Sequence, residues 1–300
     1  MSRASRLLLA ILLGACAATA QTATRPTASP TEDPGHPAQR SALKLAAATA
    51  ADIPFGDTEF EAEQTLLDLA NRSRQQAGAP PLALDSGLSH AARVHAQAML
   101  EARRLSHQFD GEPALPQRLA AATHLQLDQE GENAALDYNA ADGHEHLMLS
   151  PPHRANLLNP AYNVVGLGVV RSGDRLYIVQ DFGHALPNYS ASEVKERIAA
   201  TVNQTRRQVR QAELPRHDLA VADEAACSMA QADKLGTLPV QQLAQRFTVL
   251  TYSSVHPDTL PPEASHAIDS GNLKSFSVGA CYARTNTYPT GVYWVVVTLE

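Results

Sequence analysis

Ser150-Pro-Pro-His-Arg-Ala-Asn-Leu-Leu-Asn-Pro160, running into Ala161-Tyr-Asn-Val-Val-Gly-Leu-Gly-Val-Val170, is the stretch on which the reading of this 300-residue chain turns. A helix does not continue easily into Pro151-Pro152, because the ring removes an N–H and clashes with the preceding turn. The sequence therefore predicts that His153, with Arg154 beside it, follows a stiff, non-helical corner. The valine-rich run behind it, broken by Gly166 and Gly168, predicts a buried strand that another backbone approaches closely. A histidine fixed between a proline corner and a core strand is a candidate piece of a site. Two upstream fragments support it: Ser106-His107, directly after a helical stretch, and Gly131-Glu132-Asn133.

Working outward, an apolar fraction of 44 % with 18 % charged residues is ordinary for a soluble globular protein. The formal charge of −7, without any Lys/Arg cluster, argues against nucleic acid as a partner. The N-terminus has the pattern of a targeting segment: Arg3 and Arg6, then the short apolar run Leu7 to Leu13, too brief to span a bilayer. Two exits from it compete. Leu13-Gly14-Ala15-Cys16 resembles a bacterial lipobox, which would make Cys16 a lipidated N-terminus; Ala18-Thr19-Ala20 before Gln21 is an acceptable site for ordinary secretion. Either route predicts an extracytoplasmic protein: secreted, periplasmic or lipid-anchored, with the membrane reached only through the anchor. Residues 21–52, rich in Thr, Pro, Ala and Ser, predict a disordered linker, because they hold too few large apolar groups to offset ordering entropy.

The first helix is predicted to open with a capping box, Thr58 as N-cap and Glu61 three residues on, with Phe60, Leu66, Leu67, Ala70 and Ala77 on its apolar side and Gly78 as the stop. Asp85 or Ser86 caps a second helix, on which Leu88, Ala91, Ala92, His95, Ala98, Met99 and Ala102 form one stripe. His95 on that stripe reads as a hydrogen-bonded core residue rather than a catalytic one. His107 sits just past the helix end, where a side chain can turn into a cleft. Residues 108–130 read as loop with a short helix near Arg118 to Thr123, and a further helix is expected over Ala140 to Leu149. Val164 to Arg171 and Leu176 to Phe182 read as strands joined through Ser172-Gly173-Asp174.

These residues carry a family resemblance. Leu69-Ala-Asn-Arg-Ser-Arg74, Pro81-Leu-Ala-Leu-Asp85, Ala91-Ala92 with His95-Ala96, Leu105-Ser-His107, Gly131-Glu-Asn133, Ser150-Pro-Pro-His-Arg154, Asn156-Leu-Leu-Asn-Pro160, Val165-Gly-Leu-Gly168 and Gln180-Asp-Phe-Gly183 follow one another in order. Residues 60–184 thereby resemble the bacterial branch of the CAP superfamily of cysteine-rich secretory proteins, antigen 5 and pathogenesis-related proteins, the SCP domain. The resemblance implies an α+β fold: an α–β–α sandwich with a small antiparallel sheet between helices, here assigned to residues 53–186. It also implies a cleft with two histidines, His107 and His153, and a first acid, Glu132. The family's second acid falls at Ser150 and its tryptophan at Leu147, so the tetrad is incomplete in this chain.

Residues 187–300 read as a smaller, divergent second domain of related design. Ser190-Ala-Ser-Glu193 is another capping box, followed by Val194, Ile198, Val202 and Val209 at helical spacing. Val202-Asn-Gln-Thr-Arg206 echoes Ala70-Asn-Arg-Ser-Arg74, and Ala225-Ala226 echoes Ala91-Ala92. Ser277-Val-Gly-Ala-Cys281 with Tyr293-Trp294-Val-Val-Val297 echoes the hairpin of the first half. No Ser-His, Gly-Glu-Asn or His-Arg counterpart occurs between residues 236 and 276. Once Cys16 is removed or lipidated, Cys227 and Cys281 remain in a compartment where disulfides persist. The repeat register places them on a second helix and a central strand, elements that pack face to face, so a bridge is expected; two unrelated buried thiols are the alternative.

Two chemistries compete for the cleft. His107 and His153 could share zinc or another divalent cation, with water completing the shell and Glu132 as general base, giving a metal-dependent, peptidase-like hydrolase. The resemblance implies instead mostly binding: of a lipid or other hydrophobic ligand, a cation, or an envelope protein. His144-Glu145-His146 cannot converge on one ion from a helix and reads as solvated. No Ser/His/Asp or reactive-cysteine set is evident.

Overall fold

The computed structural model describes residues 59–300, so the targeting segment, the linker, Cys16 and the Thr58 cap lie outside the described residues. The first half runs α1 (Phe60–Ala77), β1 (Ala83–Leu84), α2 (Ser86–Ala102), α3 (Leu115–Ala122), β2 (Leu127–Asp137), α4 (Ala140–Leu149), α5 (Pro151–Leu158), β3 (Val164–Ser172) and β4 (Arg175–Ala185). Its four strands are ordered β1-β3-β4-β2, antiparallel except for the short β1–β3 pair. Because side chains alternate across a strand, β3 serves both faces. Val165, Leu167 and Val169 pack with Leu66 and Ala70 of α1, Leu147 of α4 and Leu157 of α5. On the opposite face a Cβ on Gly168 would lie 2.2 Å from the Ala92 backbone, and one on Gly166 2.0 Å from that of Leu88. The two glycines seat α2 directly on the sheet. The result is the expected three-layer α–β–α sandwich.

Local chemistry sets the boundaries. Asp85 caps α2 by accepting from Leu88 N–H at 2.8 Å, and Gly78 closes α1 in the left-handed region at φ 76°. α1 begins at Phe60 without a side-chain cap, and Phe60 is exposed under the Arg93 guanidinium rather than in the core. The proline pair is also a correction. Pro151 and Pro152 open α5, where the missing N–H groups would have had no helical partner anyway, so His153 stands in the first turn of a helix. Gly131-Glu132-Asn133 lies in the middle of an eleven-residue strand that the sequence reading did not anticipate.

The second half runs α6 (Ala191–Gln208), α7 (Ala220–Ala232), α8 (Leu238–Leu243), β5 (Thr248–Ser254), α9 (Pro262–Ile268), β6 (Phe276–Ala283) and β7 (Val292–Leu299), with an antiparallel sheet ordered β5-β7-β6. Helices again cover both faces: Val194, Ile198 and Val202 of α6 meet Val278, Val295 and Val297, while Ala222, Ala226 and Met229 of α7 meet Trp294 and Val296. Gly279 lets α7 sit close, since a Cβ there would lie 2.1 Å from the Ala222 carbonyl oxygen. Two buried devices occur once in each half. Asn71 exchanges hydrogen bonds with the backbone of Leu82, and Asn203 does the same with Leu214, each across eleven residues. The Arg74 guanidinium donates to the carbonyls of Pro80, Leu157, Asn159 and Tyr162, and that of Arg206 to Ala212, Ile268 and Ser270. Cys227 and Cys281 are joined, tying α7 to β6. β6 is an edge strand and β7 the central one, which corrects the expected position of Cys281. Val209, just past α6, is exposed rather than on its apolar stripe.

The halves meet where the β6–β7 connection grips the α3–β2 segment. Arg284 donates to the carbonyls of Ala120 at 2.5 Å and Leu125 at 3.0 Å, and Thr290 to that of Leu127 at 2.8 Å. No helix among the described residues is long and apolar enough to cross a membrane.

Candidate functional site

The site is assembled from four elements around Glu132, which β2 delivers into the interior with only 8 % of its surface exposed. One carboxylate oxygen accepts from His107 Nδ1 at 2.7 Å; the other is paired with the Arg118 guanidinium of α3. With a carboxylate on Nδ1 that nitrogen must carry the hydrogen, so neutral His107 keeps its lone pair on Nε2, toward the open side. Arg118 also lies 3.5 Å from Glu112 and donates to the His107 carbonyl at 3.3 Å. His95, fully buried on α2, faces Glu112 at 2.6 Å and the Ser106 carbonyl at 2.8 Å, and its Nε2 is 3.7 Å from Glu132. It is the hydrogen-bonded core histidine expected, and it also buttresses the loop that carries His107.

His153 completes the pair of imidazoles, with its ring centroid 6.5 Å from that of His107. Two sequence motifs interlock to hold it. Asn133 donates to the His153 carbonyl at 3.1 Å, and Asn156 donates to the Asn133 side chain at 3.0 Å and the Glu132 carbonyl at 3.1 Å. The two rings sit in different electrostatic surroundings. The hydrogen bond to Glu132 raises the His107 pKa above its ordinary value; partial burial, with the His107 charge adding, lowers that of His153. Ser150, where the resemblance would put a second acid, is the joint between α4 and α5.

The structure supplies a second carboxyl group from elsewhere. Asp181 of β4 pairs in register with Glu132, is completely buried, and meets no hydrogen-bond donor at either oxygen. Burial pushes its pKa well above the usual carboxylate range, the Glu132 charge adds to the shift, and Arg118 opposes it. Sequence reasoning missed Asp181, Arg118 and Glu112. The available signal was Asp181 itself, an acid inside the apolar run Leu176 to Phe182.

His144-Glu145-His146 divides differently from the solvated reading. His144 is buried, with Nε2 2.9 Å from Ser73 Oγ and Nδ1 unpartnered; Glu145 is exposed; His146 is exposed and bonded to Asp137 at 2.6 Å. Among the described residues no group of three or more His, Cys, Asp or Glu is arranged to hold a metal ion. Cys227 and Cys281 belong to the other half and take no part in the cleft.

Helices on both faces of a small sheet, with an imidazole–carboxylate cluster at the middle of β2, make a three-layer domain of the kind the sequence resemblance implied. Residues 67–182 match the family described as CAP, the cysteine-rich secretory protein family. The uncharacterized protein YkwD of Bacillus subtilis (strain 168) is 31% identical over 112 residues, covering 37% of this chain and 43% of that protein. The chain thus spans less than half the length of that relative. An extracellular SCP-domain protein from Bacillus anthracis str. Ames is 28% identical over 42% of this chain and 41% of its own, with a TM-score of 0.38. An outer surface protein from Borrelia burgdorferi is 19% identical over 44% of this chain and 99% of its own, with a TM-score of 0.41.

Proposed function

We propose that this chain is an extracytoplasmic binding or interaction module, its cleft taking a lipid or other hydrophobic ligand, a cation, or a partner protein of the cell envelope. The observation that carries this reading is the state of Glu132: it is buried, with one oxygen on His107 and the other on Arg118, so the carboxylate is committed to internal partners rather than presented to the cleft as a general base. Leu105, two residues before His107, and Leu149, four before His153, are 46 % and 68 % exposed, an apolar flank suited to a hydrophobic partner. Export rests on the Arg3 to Ala20 segment and agrees with a disulfide-bonded chain. Residues 187–300 are, on this reading, a divergent copy that has kept the Asn/Arg braces and lost the cleft.

One observation favours a second reading. His107 Nε2 is open and His153 stands beside it, so the two imidazoles could hold zinc or another divalent cation, with Glu132 orienting His107 from behind. Such an ion would polarise water or a carbonyl. With two protein donors it would be held weakly. Glu132→Gln separates the readings. A lower thermal midpoint, with no hydrolysis of a broad peptide and ester panel by either protein, is expected. Zinc-dependent turnover in the wild type that disappears in a folded variant would establish the hydrolase instead.

A further inference from the structure

Among the described residues, Asp181 is a buried acid with both oxygens unpartnered. Its burial is complete, although an unpaired buried polar group is destabilising, and more so when charged. The side chain facing it across the β2–β4 pair is Glu132, itself a carboxyl. Two carboxylates offer each other only acceptors, so a hydrogen bond between them requires one proton. Asp181 is its better owner, because Glu132 has its oxygens on the Arg118 guanidinium and the His107 N–H while Asp181 has no cationic partner. The remaining charged groups of the cluster come from every element around it: Arg118 of α3, Glu112 of the preceding loop, His95 of α2, and His107 beyond Glu132. Arg118 is paired with Glu132 and Glu112, His95 with Glu112 and His107 with Glu132, and none of them makes a hydrogen bond or ion pair to Asp181.

We propose that Asp181 is a positioning residue for the cleft: it carries one proton shared with Glu132, and that proton holds the Glu132 carboxylate where it receives the His107 Nδ1–H. The chain Asp181–Glu132–His107 then runs from the sheet to the open side and fixes which imidazole nitrogen faces a ligand. A carboxylic acid kept neutral by burial is a stronger donor than an amide, and it adds no charge to a cluster that already holds Glu132 and Glu112. Ser150 leaves the family's second acid absent, and Asp181 places a carboxyl group behind Glu132 instead of beside the cleft.

The test uses the unliganded full chain, so its outcome is independent of what the cleft binds or whether it turns anything over. Infrared spectra at alkaline pH, well above the usual carboxylate range, should show a protonated carboxylic-acid band that moves on isotope labelling of aspartate and is lost in Asp181→Asn. Nitrogen NMR should show neutral His107 as the Nδ1–H tautomer in the wild type and in Asp181→Asn, whose carboxamide still donates. In Asp181→Leu that preference should be lost while the other histidines keep theirs. Absence of the acid band in the wild type overturns the proposal, as does an unchanged His107 tautomer in a folded Asp181→Leu. The wild-type band decides the matter alone where the leucine variant does not fold.

Discussion

A buried histidine with one ring nitrogen satisfied and the other not is stable only while it is neutral. His144 is in that state: Nε2 is on Ser73 Oγ, Nδ1 has no partner, and burial lowers its pKa below the ordinary value. Its folded-state pKa is depressed, so the unfolded chain binds the proton more readily and stability is lost as pH falls from about 6.5 through the folded value. Comparison with His144→Gln, which keeps a polar partner for Ser73 and does not titrate, isolates this effect from every other group. The wild-type minus variant difference in urea stability should become steadily more unfavourable to the wild type below about pH 6.5. A difference independent of pH would rule out a neutral buried ring. At this scale the sequence exposed His107, Glu132 and His153, because each stands in a distinctive local string. Asp181, Arg118 and Glu112 stayed hidden because their importance comes from pairing across strands and helices, which no local pattern encodes.

Helix and sheet meet here backbone to backbone, and glycine is what permits it. A Cβ at Gly168 would lie 2.2 Å from the Ala92 carbonyl carbon, an atom that cannot move without displacing α2. At Gly183 the nearest atom would be a side-chain methyl of Leu127 at 3.0 Å, which can turn away. Gly168→Ala should therefore cost about 1–3 kcal/mol or more, as overpacking does, and Gly183→Ala distinctly less. Equal denaturation midpoints for the two variants would refute the close-contact account. Helices α2 and α6 were legible from caps and periodicity. Strand β2 was not: Gly131-Glu132-Asn133 interrupts its apolar pattern, and what makes it a strand is a continuous ladder with β4 from Gln129 to Asp137. Pro151-Pro152 misled in the opposite direction, since a proline pair that ends one helix can begin the next.

Across the second half, the sandwich was legible because Val202-Asn-Gln-Thr-Arg206 repeats the Asn/Arg pair that braces α1, and the motifs of the first half's cleft are absent from residues 236–276. What the sequence did not show is that this half holds the first at the very segment bearing Arg118 and Glu132. Arg284 takes up the carbonyls of Ala120 and Leu125, and it lies three residues beyond Cys281, whose bridge to Cys227 pins β6 to α7. The bridge closes a loop with a sequence separation of 54, and chain-entropy reasoning assigns such a closure about 4 kcal/mol. Replacing both cysteines with alanine should therefore lower denaturant stability by about 2–5 kcal/mol. The loss should not be uniform. Hydrogen exchange should accelerate first in α7 and β6, whose contact loses its only covalent tie, then in α3 and the start of β2, which depend on Arg284 and Thr290. Strand β3 and the part of β4 before His184, buried between α2 and α1, should keep their protection longest. A double variant with wild-type stability, or one in which β3 and β4 open together with α7, would show that the bridge does not support the junction.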